Sequence, residues 1–221
     1  MTLHRIRLIA AREARAERGQ PDGLIGATTF IAVLIFVESL TIGPLAASHP
    51  ATAAALYWIA LTFAAILTAS RSFERELEDD AIDAVLALPG GRDALYAGKT
   101  IALTAILALV AVIGGLLELV LLPIVIGEPI LLALVVLAGV LALPPIVVLT
   151  VVLAMRLRAR GALVPIIALP MLVPHLVAAT YGAAAAADGN TATALGWGGL
   201  LVAFALVYSV LGLTIVPAAL E

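Results

Sequence analysis

The 12 basic residues of this chain occupy only every second gap between its hydrophobic stretches. Five arginines lie in the N-terminal tail, four basic residues lie between positions 71 and 99, and three arginines lie between positions 156 and 160. The other gaps, 43–50, 118–129 and 182–195, contain neither Lys nor Arg. Positive charge close to membrane spans is retained on the cytoplasmic side. The pattern therefore predicts an all-α integral membrane protein with six transmembrane helices, cytoplasmic N- and C-termini and three short external loops.

The length of the hydrophobic stretches supports the same topology. Of the 221 residues, 63% are hydrophobic, and a span needs about 20 mostly apolar residues. We predict spans at about residues 24–42, 51–70, 100–126, 130–155, 162–181 and 196–217. Little sequence remains for a soluble domain. We therefore expect a single transmembrane domain over residues 1–221, with no catalytic or ATPase module of its own and no nucleic-acid partner.

The residue types that are missing exclude several kinds of site. The chain has no cysteine, which excludes disulfides, thiolate metal sites and a C-x-x-C-H haem attachment site. It has three histidines, His4, His49 and His175, too few and too scattered to suggest a dedicated metal site. We therefore expect no metal, and no cofactor bound by this chain itself.

Two segments outside the spans are predicted to be helical. Residues 3–19 alternate aliphatic residues with five arginines, which is typical of a basic interfacial helix lying on the cytoplasmic face of the lipid bilayer. Residues 72–88 place apolar side chains at helical spacing on one face and mostly acidic side chains on the other. Arg75 within this acidic helix is spaced to pair with Asp79.

The acidic helix is the candidate docking site for a partner protein. An acidic face is disfavoured against an anionic lipid leaflet and suits solvent or a basic protein surface. A solvated connector is the alternative interpretation, but the helix is the only sizeable cytoplasmic feature of a chain with no motor of its own. The docking residues that we predict are Phe73, Glu74, Arg75, Glu76, Leu77, Glu78, Asp79 and Asp83.

Three motifs resemble the cytochrome c maturation haem exporter B (CcmB) family. The stretch SFERELEDDAIDAVLALPGGRDALYAGK at 72–99 is similar to that family's segment between spans two and three, with its acidic helix, Leu-rich run ending in Pro and a Lys at the start of span three. RGALVPIIALPMLVPHLVAAT at 160–180 resembles the Pro-rich fifth span, and LTIGPL at 40–45 resembles the first outer loop. Length and span number also agree with the family.

The resemblance implies a permease subunit of the ABC-2-like class. Such a subunit works with a cytoplasmic ABC ATPase that binds the ATP, a haem-handling membrane subunit and a small membrane subunit, in the cell (plasma or inner) membrane. ATP hydrolysis in that system is linked to release of a haem-loaded chaperone outside the membrane. By resemblance, residues 73–83 form a coupling helix that takes up movement from the ATPase, haem is a candidate cargo, and a homodimer is a further expectation.

Three residues in the spans are candidates for a ligand path. Glu38 and Glu118 are the most deeply placed charged residues, and ionisable groups within spans suggest function by default. A break near Gly114, Gly115 and Pro123 is expected to expose Glu118 to an outer cavity. Imidazole is a usual haem ligand, which makes His175 a candidate, although a lone His in a span also serves as a hydrogen-bonding partner for a neighbouring helix.

Two other functions remain open from the sequence. A generic ABC-2 permease for a lipid, polysaccharide or drug would have the same topology and docking helix. A scaffold that holds a haem-transfer complex together without transporting anything would also fit, since the spans contain few polar residues. An ion channel is disfavoured because no polar filter sequence or ring of charges is present.

Overall fold

The computed structural model of the chain describes residues 2–43, 49–78, 91–155 and 160–219, with side chains described over 4–43, 49–75, 91–154 and 169–219. Within these ranges the chain is helical and contains no strand. The seven helices are α1 (Thr2–Gly19), α2 (Asp22–Thr41), α3 (Pro50–Glu78), α4 (Gly91–Leu121), α5 (Pro129–Met155), α6 (Arg160–Ala187) and α7 (Thr191–Ala219).

Helices α2 to α7 confirm the prediction of an all-α protein with six spans. Each contains a stretch that is long and apolar enough to cross a bilayer. Except in their end turns, helices pair their backbone donors and acceptors internally, which is what a segment without access to water requires. The chain is therefore a multi-pass membrane protein, and α1 coincides with the predicted interfacial helix. The cytoplasmic position of the termini stays a prediction from the charge pattern.

The fourth span, α5, lies at the centre of the bundle. It packs against α3, α4, α6 and α7, and 56% of its apolar window is buried, whereas only 17% of the window of α7 is. The aliphatic side chains of its second half form the middle of the core. At the end of the bundle nearest α1, the ring of Tyr96 on α4 fits beside Gly212 on α7, so α1 and the end of α7 lie at the same end. We call this the α1 end.

Two predicted boundaries differ from the observed helices. The third span was predicted at 100–126, but its helix begins at Gly91 and ends at Leu121. Pro123 has no N–H to continue the helix, and the following loop instead bonds to the end of α6, where Gly127 N donates to the carbonyl of Ala187 (2.8 Å). The acidic helix was predicted as a separate element over 72–88. Its first part, to Glu78, is a continuation of α3, and residues 79–90 lie outside the described ranges.

Close packing of α3 on α5 depends on a glycine. A Cβ at Gly139 would collide with the six-membered ring of Trp58, which is fully buried. We expect Gly139→Ala to destabilise the protein by about 1–3 kcal/mol, the usual cost of overpacking a core. Thermal unfolding in detergent measures this change. Gly115→Ala is the control, because a Cβ there has nothing within 4 Å, and equal melting temperatures for the two variants would contradict the packing account.

Candidate functional site

A buried lysine joins three helices at the α1 end of the bundle. Lys99 on α4 is 3% exposed. Its ammonium group donates to Glu13 Oε1 on α1 (3.0 Å) and to both Ser72 Oγ (2.6 Å) and the Ser72 carbonyl (3.2 Å) on α3. The Ser72 hydroxyl in turn donates to Glu13 Oε2 (2.8 Å). These contacts form a closed ring, and they match the three N–H donors that a lysine carries.

A second ion pair extends this cluster toward α2. Arg75 Nη2 on α3 lies 3.4 Å from Glu17 Oε2 on α1. The other oxygen of Glu17 accepts from the backbone N–H of Leu24 in the first turn of α2 (2.5 Å). The first N–H groups of a helix lack partners within it and attract negative charge. Glu17 therefore ties the start of α2 to the end of α3.

Helix α1 also packs directly on α4. A Cβ at Gly98 would lie 2.6 Å from Ile9 Cγ2 and 3.3 Å from the carbonyl oxygen of Ile6, so the absence of a side chain at Gly98 lets α1 approach this closely. Phe73 fills the space beside the charges, where its ring centroid lies 4.6 Å from Lys99 Nζ in a cation–π contact. We call the set Glu13, Glu17, Ser72, Phe73, Arg75 and Lys99 the junction.

The junction connects the two described flanks of the segment 79–90. Ser72 and Arg75 lie just before the segment 79–90, and Lys99 lies just after it. Both described flanks of that segment are thus held to each other and to α1 by charged hydrogen bonds. Breaking a buried pair by removing one partner is costly. These contacts therefore hold α1, α3 and α4 to one another beside the ends of the segment.

The predicted docking residues fall into three groups. Phe73 is 2% exposed and packs within the junction, whereas Glu74 is exposed. Arg75, which we expected to pair with Asp79, has Glu17 as a partner. The remaining members lie beyond the side chains that the structure describes: Glu76, Leu77 and Glu78 within α3, and Asp79 and Asp83 after it.

Sequence reasoning missed Glu13 and Glu17 as site residues. They are 9% and 7% exposed, and they sit on the face of α1 that also carries Ile6 and Ile9. The five arginines of the tail concealed this acidic pair in the charge pattern. The signal that would have revealed them is their i, i+4 spacing, which places both glutamates on the same helix face as the two isoleucines.

Glu38 and Glu118 lie together at the opposite end of the bundle. Glu38 is 3% exposed, and the two carboxylates are close enough to interact electrostatically. The Oε1 atom of each is buried without a hydrogen-bond partner among the described residues. Glu118 lines a cavity of about 380 Å³ between α3, α4, α5 and the end of α6, although α4 runs unbroken through Gly114 and Gly115 and ends three residues after Glu118.

His175 occupies a different environment from these carboxylates. It is fully buried, its Nε2 lies 3.0 Å from the Gly139 carbonyl, and its ring meets Trp58 edge to face. This arrangement joins α6 to α5 and α3, which is the helix-packing role that we considered for it. Within the part of the chain that the structure describes, no group of three or more His, Cys, Asp or Glu side chains is arranged to hold a metal ion.

Comparison with known proteins identifies one family. The family model described as CcmB protein matches residues 4–221, essentially the whole chain. No curated protein matches the chain.

Proposed function

The chain belongs to the CcmB family of membrane permeases, and we propose that it is the permease subunit that couples a separate cytoplasmic ATPase to haem delivery in cytochrome c maturation. The family points to a haem-export ABC complex with several subunits and to a permease without its own ATPase site. In the proposal, the ATP is bound by the ATPase subunit and haem is the cargo. The partners are the ATPase, a haem-handling membrane subunit and a small membrane subunit, in the cell membrane, with a homodimer as a further expectation.

The junction is the observation that carries the coupling proposal. The predicted docking residues between positions 73 and 83 lie directly before the segment 79–90 or within it. The residues that flank this segment bond to Glu13 and Glu17. An ATPase that binds the acidic face would pull on Ser72 and Arg75 at one side and on Lys99 at the other. These residues belong to two spans, α3 and α4, and are joined to α1. In the proposal, α1, α3 and α4 therefore move together when the ATPase moves the segment.

A scaffold function is the second candidate. Apart from Lys99 in the junction and the Glu38 and Glu118 pair at the opposite end of the bundle, the buried polar side chains of the described spans lie on three helices: Thr62 and Thr68 on α3, Thr150 on α5 and His175 on α6. The core around them is aliphatic. This arrangement favours a scaffold that holds the haem-transfer complex together over passage of haem through the middle of this subunit.

The proposed function is tested by identifying what accompanies the chain. The tagged protein is purified from its native membrane in mild detergent, and its partners are identified by mass spectrometry. We expect an ATPase together with a haem-binding membrane protein. An ATPase without a haem-handling partner would contradict the haem role and favour the generic ABC-2 permease.

A further inference from the structure

The cavity beside Glu118 has the dimensions of a ligand site. Its volume of about 380 Å³ falls in the range of roughly 300–1,000 Å³ that is typical of small-molecule pockets. It extends from Glu118 to Ala111 along α4, which corresponds to about 10 Å of helix axis. Gly115 faces the open space, since a Cβ there would meet no atom within 4 Å.

The wall of this cavity is mostly apolar, and its buried polar atoms without a partner among the described residues are Glu118 Oε1 and Trp58 Nε1. Glu118 is the only charged residue among those that line the described cavity. Its Oε1 has no hydrogen-bond partner among the described residues, and the carboxyl group of Glu38 lies nearby. Tyr57 lies in the same wall, but its hydroxyl donates its single proton to the Ala111 carbonyl (2.8 Å). A buried carboxylate requires a donor or a cation, and a ligand with N–H groups would supply both.

The cavity opens toward lipid. Val112, Leu116 and Leu119 form its rim on α4 and are 60%, 58% and 50% exposed. Such exposure of large apolar side chains on a membrane span is expected where the span faces acyl chains. Glu118 lies one turn from the end of α4 at Leu121, near the depth at which lipid headgroups begin. A lipid of the bilayer therefore has access to the cavity along this face.

We propose that this cavity binds a membrane phospholipid with a primary ammonium headgroup. The ammonium group donates to Glu118, near the end of the span, and one acyl chain lies along the apolar wall toward Ala111. Haem suits the cavity less well, because its propionates are anionic and would meet Glu118 and Glu38. The proposal does not rest on the haem function.

The test compares lipids that differ in the headgroup alone. The full chain is reconstituted in nanodiscs of phosphatidylethanolamine or phosphatidylcholine, extracted gently, and analysed for retained lipid by native mass spectrometry. The choline headgroup has no N–H donor. We expect the unsubstituted chain to retain one phosphatidylethanolamine molecule. In Glu118→Gln we expect this retention to fall about tenfold, because a charge-assisted hydrogen bond is removed. Glu128→Gln is the matched control, since Glu128 is exposed at the same end of the bundle and does not line the cavity.

A second variant separates binding from folding. Gly115→Leu places a side chain in the cavity without a collision at its Cβ and keeps Glu118 intact. We expect it to fold, as judged by an unchanged melting temperature, and to lose the lipid. Equal retention of the two lipids, unchanged retention in Glu118→Gln, or retention in Gly115→Leu would overturn the proposal. Displacement of bound phosphatidylethanolamine by added haem would overturn it as well, because it would identify haem as the preferred occupant.

Discussion

Lys99→Met is expected to lower the free energy of unfolding by about 3–5 kcal/mol, the cost of breaking a buried ion pair by removing one partner. The substitution keeps the length of the side chain but removes the ammonium group that Glu13 and Ser72 share. Glu13 is 9% exposed, so its carboxylate is left largely without solvent. Unfolding of the purified chain in detergent, followed by circular dichroism, measures the loss.

The double variant Glu13→Gln with Lys99→Met tests whether the loss arises from the pair itself. Replacing both charges of a buried pair is often close to neutral, so we expect the double variant to recover most of the stability, and the cycle to show strong coupling. Arg7→Met serves as the matched control, because Arg7 is exposed on the same helix α1. A Lys99→Met protein as stable as the Arg7→Met protein would contradict the junction as a source of stability.

Glu78→Lys combined with Asp79→Lys is expected to abolish the ATP hydrolysis that the assembled complex stimulates. If the acidic segment binds a basic surface of the ATPase, reversing two charges turns attraction into repulsion, and like charges across an interface cost several kcal/mol. Membrane insertion should survive, because neither residue lies in a predicted span. Hydrolysis by the reconstituted complex and the amount of inserted protein are measured together.

A charge reversal at the opposite end controls for net charge. Glu128→Lys with Asp188→Lys makes the same change in net charge on exposed residues far from the segment 79–90. Full hydrolysis in this control and none in the Glu78 and Asp79 variant would agree with the docking role. Full hydrolysis in both proteins would show that the acidic segment does not bind the ATPase.

The spans were predictable because they depend on local sequence. Hydropathy over 20 residues and the placement of 12 basic residues are sufficient to locate six spans. The end of the third span was misplaced because Leu122, Ile124, Val125 and Ile126 are apolar although they follow the helix. Their hydropathy resembles that of a span, whereas the missing N–H of Pro123 and the bonds of the loop to α6 decide where the helix ends.

The junction and the cavity were harder to predict because they depend on tertiary packing. Lys99 and Glu13 are 86 residues apart, and no local pattern pairs them. Likewise, the adjacent glycines of α4 have different roles. A Cβ at Gly114 would lie 2.6 Å from Ile31 Cδ1, so Gly114 is a packing contact, whereas Gly115 opens onto the cavity. From the sequence alone, both glycines are interpreted in the same way, as sites of close helix packing.

A reversible cross-link between α1 and α4 tests most directly whether the junction moves as one unit. The chain has no cysteine, so Ile9→Cys with Gly98→Cys introduces a single pair. A Cβ added at Gly98 would lie 2.7 Å from Ile9 Cβ, and a small outward shift of α1 gives the roughly 3.5–4.5 Å that a disulfide requires. ATP hydrolysis by the complex is then compared in the oxidised and reduced states, with the unsubstituted chain treated identically. We predict equal hydrolysis in both states when cross-linking is complete. A loss on oxidation that reduction reverses would show that α1 and α4 separate during the cycle, and would contradict the account.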